Sequence, residues 1–276
     1  MHGIAYDSVH DEIVVPVTLA AAVLVFRGGA NGEEAPVRII QGPRTQLIRP
    51  HTVCVDEQNG EIIVGDRSNR SIVIFSRAAQ GDAAPIRVIR GAKTKLLDIL
   101  GLAVDPVRNL LVAASTSRIG GTTGLFIFNR TDQGDVAPRA VIAGPNTGIL
   151  RPWQLAVDPA QGRIFVAVIN NDYLPPYRLD EVREGLSPKI EIPSPWSTDN
   201  VGFVGVWGIR DNGDVPPRAI IKGPASGLVH PAGVAINPKE GEVVATDSVR
   251  NGCFTFLVPE FFRKFAGETN REKSDH

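Results

Sequence analysis

The chain has 276 residues, with 29 Lys and Arg against 30 Asp and Glu, 43% hydrophobic and only 6% aromatic residues. A net charge of −1 removes the usual electrostatic case for a nucleic-acid or anionic-membrane partner. The two cysteines, Cys54 and Cys253, are too few for a disulfide framework and too far apart for a CxxC motif. No apolar run reaches the roughly 18 residues of a membrane span, and the longest candidate, Ile13 to Phe26, is broken by Pro16.

One unit recurs along nearly the whole chain. It opens with a short apolar stretch closed by an acid or amide: IAYD ending at Asp7, VCVD at Asp56, LAVD at Asp105, LAVD at Asp158 and VAIN at Asn237. A second stretch follows from Glu12, Glu61, Leu110, Arg163 and Glu242, and a third ends in an aromatic at Phe26, Phe75, Phe128, Trp207 and Phe256. A fourth reads PVRII, PIRVI, PRAVI and PRAII from Pro36, Pro85, Pro138 and Pro217. Each stretch is short, rich in Val and Ile, and bounded by Gly, Pro, Asn or Asp, the signature of a strand. Four antiparallel strands repeated five times predict an all-β fold, a β-propeller with one four-stranded blade per repeat. In the fifth unit Phe262–Phe265 is read as a fourth strand after a shortened turn, with a short amphipathic tail helix as the alternative. The turns AQGD, DQGD and DNGD, ending at Asp82, Asp135 and Asp214, lack a Ca²⁺ ligand ladder and read as hairpins closed by Gly and Asp. The recurring aromatics read as packing between blades. The propeller is expected to span residues 1–267 as a single domain, with a polar tail at 268–276.

Three stretches carry a resemblance to a known family: Pro50 to Asp56, the run GEIIVGDRSNRSIVIF from Gly60 to Phe75, and its echo GEVVATDSVRNGCFTF from Gly241 to Phe256. They make the chain similar to NHL-type β-propellers. The resemblance implies a ring with the first strand innermost and the fourth on the rim. Such rings are usually six-bladed and closed by one terminus lending a strand to the other end's blade. Five units are visible here, so either five blades close the ring or a six-bladed ring is truncated at the N-terminus. Unclosed blade edges would allow oligomerisation. If Met1 is the authentic start, the protein is expected to be cytoplasmic; if the chain is truncated, secreted or periplasmic.

Function in such folds sits on loops at the channel mouth. The residue two places before each first strand is His2, His51, Leu100, Trp153 or Ala232, and two places earlier stand Arg49, Asp98, Arg151 and His230. Arg49, His51, Arg151, Trp153 and His230 form a candidate ligand site, cationic forks beside an aromatic plane, suited to a carboxylate, a phosphate or a sugar ring. The arginines could equally be occupied by Asp98. His2 and His51 are the candidate metal ligands. The amidating lyase that resembles this fold holds zinc with several channel histidines, and only these two match.

The fourth unit is longer than the second by 30 residues, inserted between its second and third strands at about 170–202. A loop beyond roughly 15 residues is usually functional or disordered, and Tyr173, Tyr177 and Trp196 make this one a candidate lid or partner contact. No GxSxG, HExxH or P-loop motif is present. The sequence therefore reads as a non-catalytic binding or scaffold module for a partner protein or a small anionic or sugar ligand, with no cofactor. The alternative is a metal-dependent lyase or lactonase-like enzyme with one divalent ion in the channel.

Overall fold

The computed structural model describes residues 3–117, 120–169 and 202–263. It is an all-β protein of five blades arranged as a propeller. The first blade holds β1 (Ala5–Asp7), β2 (Glu12–Val17), β3 (Ala22–Arg27) and β4 (Arg38–Gln41), and the second β5 (Pro50–Asp56), β6 (Glu61–Asp66), β7 (Ser71–Ser76) and β8 (Arg87–Ile89). The third holds β9 (Asp98–Asp105), β10 (Leu110–Thr116), β11 (Gly124–Asn129) and β12 (Ala140–Ile142), and the fourth β13 (Arg151–Asp158), β14 (Arg163–Ile169), β15 (Phe203–Gly208) and β16 (Ala219–Ile221). The fifth holds β17 (Pro231–Asn237), β18 (Glu242–Asp247) and β19 (Gly252–Leu257). Within each blade the strands pair antiparallel in chain order. Among the described residues no helix is long and apolar enough to cross a membrane. Residues 170–201, nearly all of the expected insertion at 170–202, and residues 264–276, which include the expected tail, lie outside the described residues.

The fifth unit departs from expectation. Instead of a strand from Phe262, Pro259–Phe262 forms a 3-10 turn, and the described blade has three strands. Pro259 carries no N–H for a sheet ladder and its fixed φ suits the first position of a helical turn.

Four hydrophobic clusters glue neighbouring blades. Val14, Val25 and Ile40 meet Ile62 and Phe75 at the first seam, and Ile63 and Ile74 meet Leu111 and Phe128 at the second. Val112 and Ile127 meet Ile164 and Trp207 at the third, and Phe165 and Val204 meet Val243 and Phe256 at the fourth. The recurring aromatic of each blade thus packs on the blade before it. Phe26 has no such neighbour among the described residues and is only half-buried. Strands β6, β10 and β14 are buried throughout because both faces are covered, which is why they read as continuous apolar runs.

Polar contacts repeat with the blades. Glu12 accepts from Arg38 (2.6 and 2.7 Å) and from Arg77 of the next blade (2.8 Å), and the Arg38 guanidinium holds the Glu12 carboxyl below its usual range. Glu61 repeats this with Arg87 (2.7 Å) and Arg130 (3.0 Å). The turn aspartates do more than close their own hairpins: Asp82, Asp135 and Asp214 each accept, at 2.7 Å, the backbone N–H of Arg44, Lys93 or Asn146 in the connection leading into their blade. Gly42, Gly91 and Gly144 begin those connections at φ of 137°, 140° and 132°, where a Cβ would collide with the same aspartate.

Candidate functional site

The channel mouth is built by irregularity in the first strands. The first strands begin earlier than the sequence suggests, so His51, Leu100, Trp153 and Ala232 lie within them. In every case the residue falls in a register shift: between Pro50 and Thr52, Ile99 and Gly101, Pro152 and Leu155, and Pro231 and Gly233. A bulge adds a residue that leaves the ladder and re-aims its side chain. The sequence register therefore selects a bulged residue in blades two to five.

Three of the predicted residues come together from three different blades. The ring of Trp153 lies 6.4 Å from that of His51, edge-on, and 6.5 Å from that of His230. His51 is buried, while Trp153 and His230 are half-buried. Burial pushes the His230 imidazole below its ordinary pKa, and the positive charge of Arg151 pushes the same way, against the opposing pull of Asp247. The neutral imidazole of His230 is thus favoured, and its Nδ1 lies 2.5 Å from Ser248 Oγ.

Arg49 is exposed at the second blade's loop, where its N–H donates to Asp66 at 2.8 Å. Asp98 pairs with Arg67 at 2.7 Å. His2, Tyr173, Tyr177 and Trp196 lie outside the described residues. Among the described residues no group of three or more His, Cys, Asp or Glu is placed to hold a metal ion.

Several supporting residues escaped the sequence reading. Gln154 donates from Nε2 to the Leu100 carbonyl (2.9 Å) and accepts from Thr52 Oγ1 (3.4 Å), tying the inner strands of blades two, three and four beneath Trp153. Gly101 permits this approach, since a Cβ there would run into the Trp153 carbonyl oxygen. Asp66 and Asp247, at the ends of β6 and β18, clamp the incoming loops: each Oδ2 accepts two successive backbone N–H groups, of Ile48 and Arg49 or of Val229 and His230, at 2.6 to 2.8 Å. The signal was present as the acid closing EIIVGD and EVVATD.

Fold and repeat contacts together define a five-bladed β-propeller. Residues 47–75 match the family model of the NHL repeat. Similar solved structures include Kuenenia stuttgartiensis hydrazine synthase, at 12% identity and a TM-score of 0.62, covering 98% of this chain and 69% of that one. A chain from a nidogen–laminin complex is similar at 14% identity and a TM-score of 0.56, covering 95% of this chain and 81% of that one. At such identities the likeness speaks for the fold alone. No curated protein sequence matches the chain.

Proposed function

We propose that the protein is a non-catalytic propeller module that binds a partner protein, or a small anionic or sugar ligand, at its channel mouth. The observation that carries this reading is the convergence of Trp153 with His51 and His230, beside Arg151, at bulged or adjacent positions of three blades. An indole offers a flat apolar surface for a sugar or aromatic ring, and a guanidinium suits a carboxylate. The nidogen–laminin structure is itself a protein complex, which supports a protein partner. Tyr173, Tyr177 and Trp196, in the insertion that leaves the blade next to Arg151 across β13 and β14, would extend the same surface, as would Arg49 from the second blade.

The probe is glucuronate, which joins a sugar ring to a carboxylate, titrated while Trp fluorescence is followed. Saturable quenching that Trp153→Phe and Arg151→Ala each weaken is the expected result. A flat titration, together with an unchanged pull-down of candidate partners by the Trp153→Ala variant, would defeat the reading.

A further inference from the structure

A second site lies at the opposite end of the strands, on the seam between blades three and four. At the first two seams, three register-equivalent positions hold a charged triad: Glu12, Arg38 and Arg77, then Glu61, Arg87 and Arg130. Pairing fixes the equivalence. Glu61 opposes Ser76, the residue before Arg77, as Leu110 opposes Asn129 and Arg163 opposes Gly208; Arg87 opposes Ile74 as Ala140 opposes Ile127. At the third seam the triad positions therefore hold Leu110, Ala140 and Ile209. All three charges have been replaced by apolar residues, and all three line a groove of about 530 Å³ rimmed by Arg108, Arg139 and Arg210.

The next seam shows what fills such a space. There the triad positions are Arg163, Ala219 and Val258, and the chain's own segment after β19 occupies them. Phe261 is buried in the seam cluster, Phe262 stacks on Phe165 at 5.2 Å, and Arg163 donates to the carbonyls of Phe261 and Arg263. A seam without its ionic triad thus accepts a short turn of chain that carries aromatic side chains. At the third seam the floor is apolar and the rim is cationic. The nearby carboxylates are already engaged, Asp105 by Arg108 (2.9 Å) and Asp211 by Arg218 (2.5 Å). Arg139 and Arg210 are exposed.

We infer that the groove floored by Leu110, Ala140 and Ile209 and rimmed by Arg108, Arg139 and Arg210 is a docking site for a partner peptide with an aromatic side chain flanked by carboxylates. The apolar floor takes the ring, and the exposed guanidinium groups of Arg139 and Arg210 take the acids. This site is separate from the channel mouth and does not depend on it.

The test is fluorescence anisotropy of the full chain with a labelled peptide, Asp-Glu-Phe-Phe-Glu-Asp. Binding should saturate and weaken with added salt. Replacing the two Phe by Ser, or the acids by Lys, should remove it. The triple variant Leu110→Glu, Ala140→Arg, Ile209→Arg rebuilds the triad of the other seams and should abolish binding while the thermal melt stays cooperative. Should that variant fail to fold, Arg139→Glu with Arg210→Glu, at exposed positions, decides: a loss of about tenfold or more is expected. No saturation by the parent peptide, equal binding of the Ser peptide, or undiminished binding to the charge-reversed variant would each overturn the proposal.

Discussion

Blades two and five follow the same pattern, GEIIVGDRSNRSIVIF against GEVVATDSVRNGCFTF, with the opening Gly-Glu, the Asp and the closing Phe in common, yet they are buried very differently. Every residue of β6 is buried, whereas β18 alternates between buried and open positions and Leu257, at the end of β19, is 73% exposed. The residues facing the preceding blade stay apolar in both: Ile62, Val64, Val73 and Phe75 become Val243, Ala245, Phe254 and Phe256. On the other face, Ile63, Ile72 and Ile74 become Val244, Cys253 and Thr255. Composition therefore follows coverage, face by face. Blade one does not follow it: its uncovered face keeps Tyr6, Ile13 and Phe26, with Tyr6 55% exposed.

This contrast between covered and uncovered faces can be broken most sharply at the recurring aromatic. Trp207→Ala should cost about 3–5 kcal/mol in a denaturant titration, because the indole is wholly buried at the third seam and its N–H donates to the Val215 carbonyl. Phe26→Ala, at the same repeat position on the open face, should cost about 1 kcal/mol; equal losses would mean that blade one's face is covered. Next in size is the loop clamp. Asp66→Ala leaves three N–H groups, those of Ile48, Arg49 and Asn69, without their charged acceptor and should cost about 2–3 kcal/mol. Asp247→Ala should instead open the fifth blade locally, read as faster hydrogen exchange at Val229 and His230 with a smaller shift in the global midpoint.

Thiol chemistry sharpens the comparison without altering stability. Cys253 is exposed on the fifth blade's open face, whereas burial pushes the Cys54 thiol far up. Maleimide at pH 7 should label Cys253 alone; prompt labelling of Cys54 would contradict the packing of blade two. The smallest effect is expected at His230. Its folded pKa lies below the unfolded value near 6.5, so the unfolded chain takes up the proton first. Stability is lost as pH falls below about 6.5, levelling once the folded form is also protonated. An NMR titration should give a midpoint below 6.5, and Arg151→Ala should raise it; a midpoint unchanged by that substitution would detach Arg151 from the site.

The strand pattern was legible because four apolar stretches recur with a Gly or Asp at each turn, and two-sided burial leaves long apolar runs in the middle strands. The fifth unit's last strand was misread because Phe262-Arg263 resembles Ile86-Arg87, while Pro259, which favours a helical turn, carried less weight than the resemblance. At the channel mouth, His51 and Trp153 are legible by register, since a bulge recurs at one place in blades two to five, and His230 stands just before that place. What register could not show is where side chains reach after the chain folds back. The aspartate of AQGD binds a connection some forty residues earlier, and the loss of a triad at the third seam appears only when Leu110, Ala140 and Ile209, from three strands, are set side by side.

The aspartate latches also give the molecule a mechanical grain. Blades two, three and four each grip the segment that leads into them through Asp82, Asp135 and Asp214, and an isolated bridge from Gly81, Gly134 or Gly213 to the preceding blade's outer strand reinforces the grip. The connection into blade five has no such latch among the described residues and is held by Asp247 within its own blade. A pull on the C-terminal end should therefore peel off the fifth blade at low force and meet a series of stiffer steps afterwards. Each of those later steps should release the extended length of its own repeat, about 26 nm for the fourth, which carries the insertion, and about 16 nm for a repeat of 49 residues such as the second.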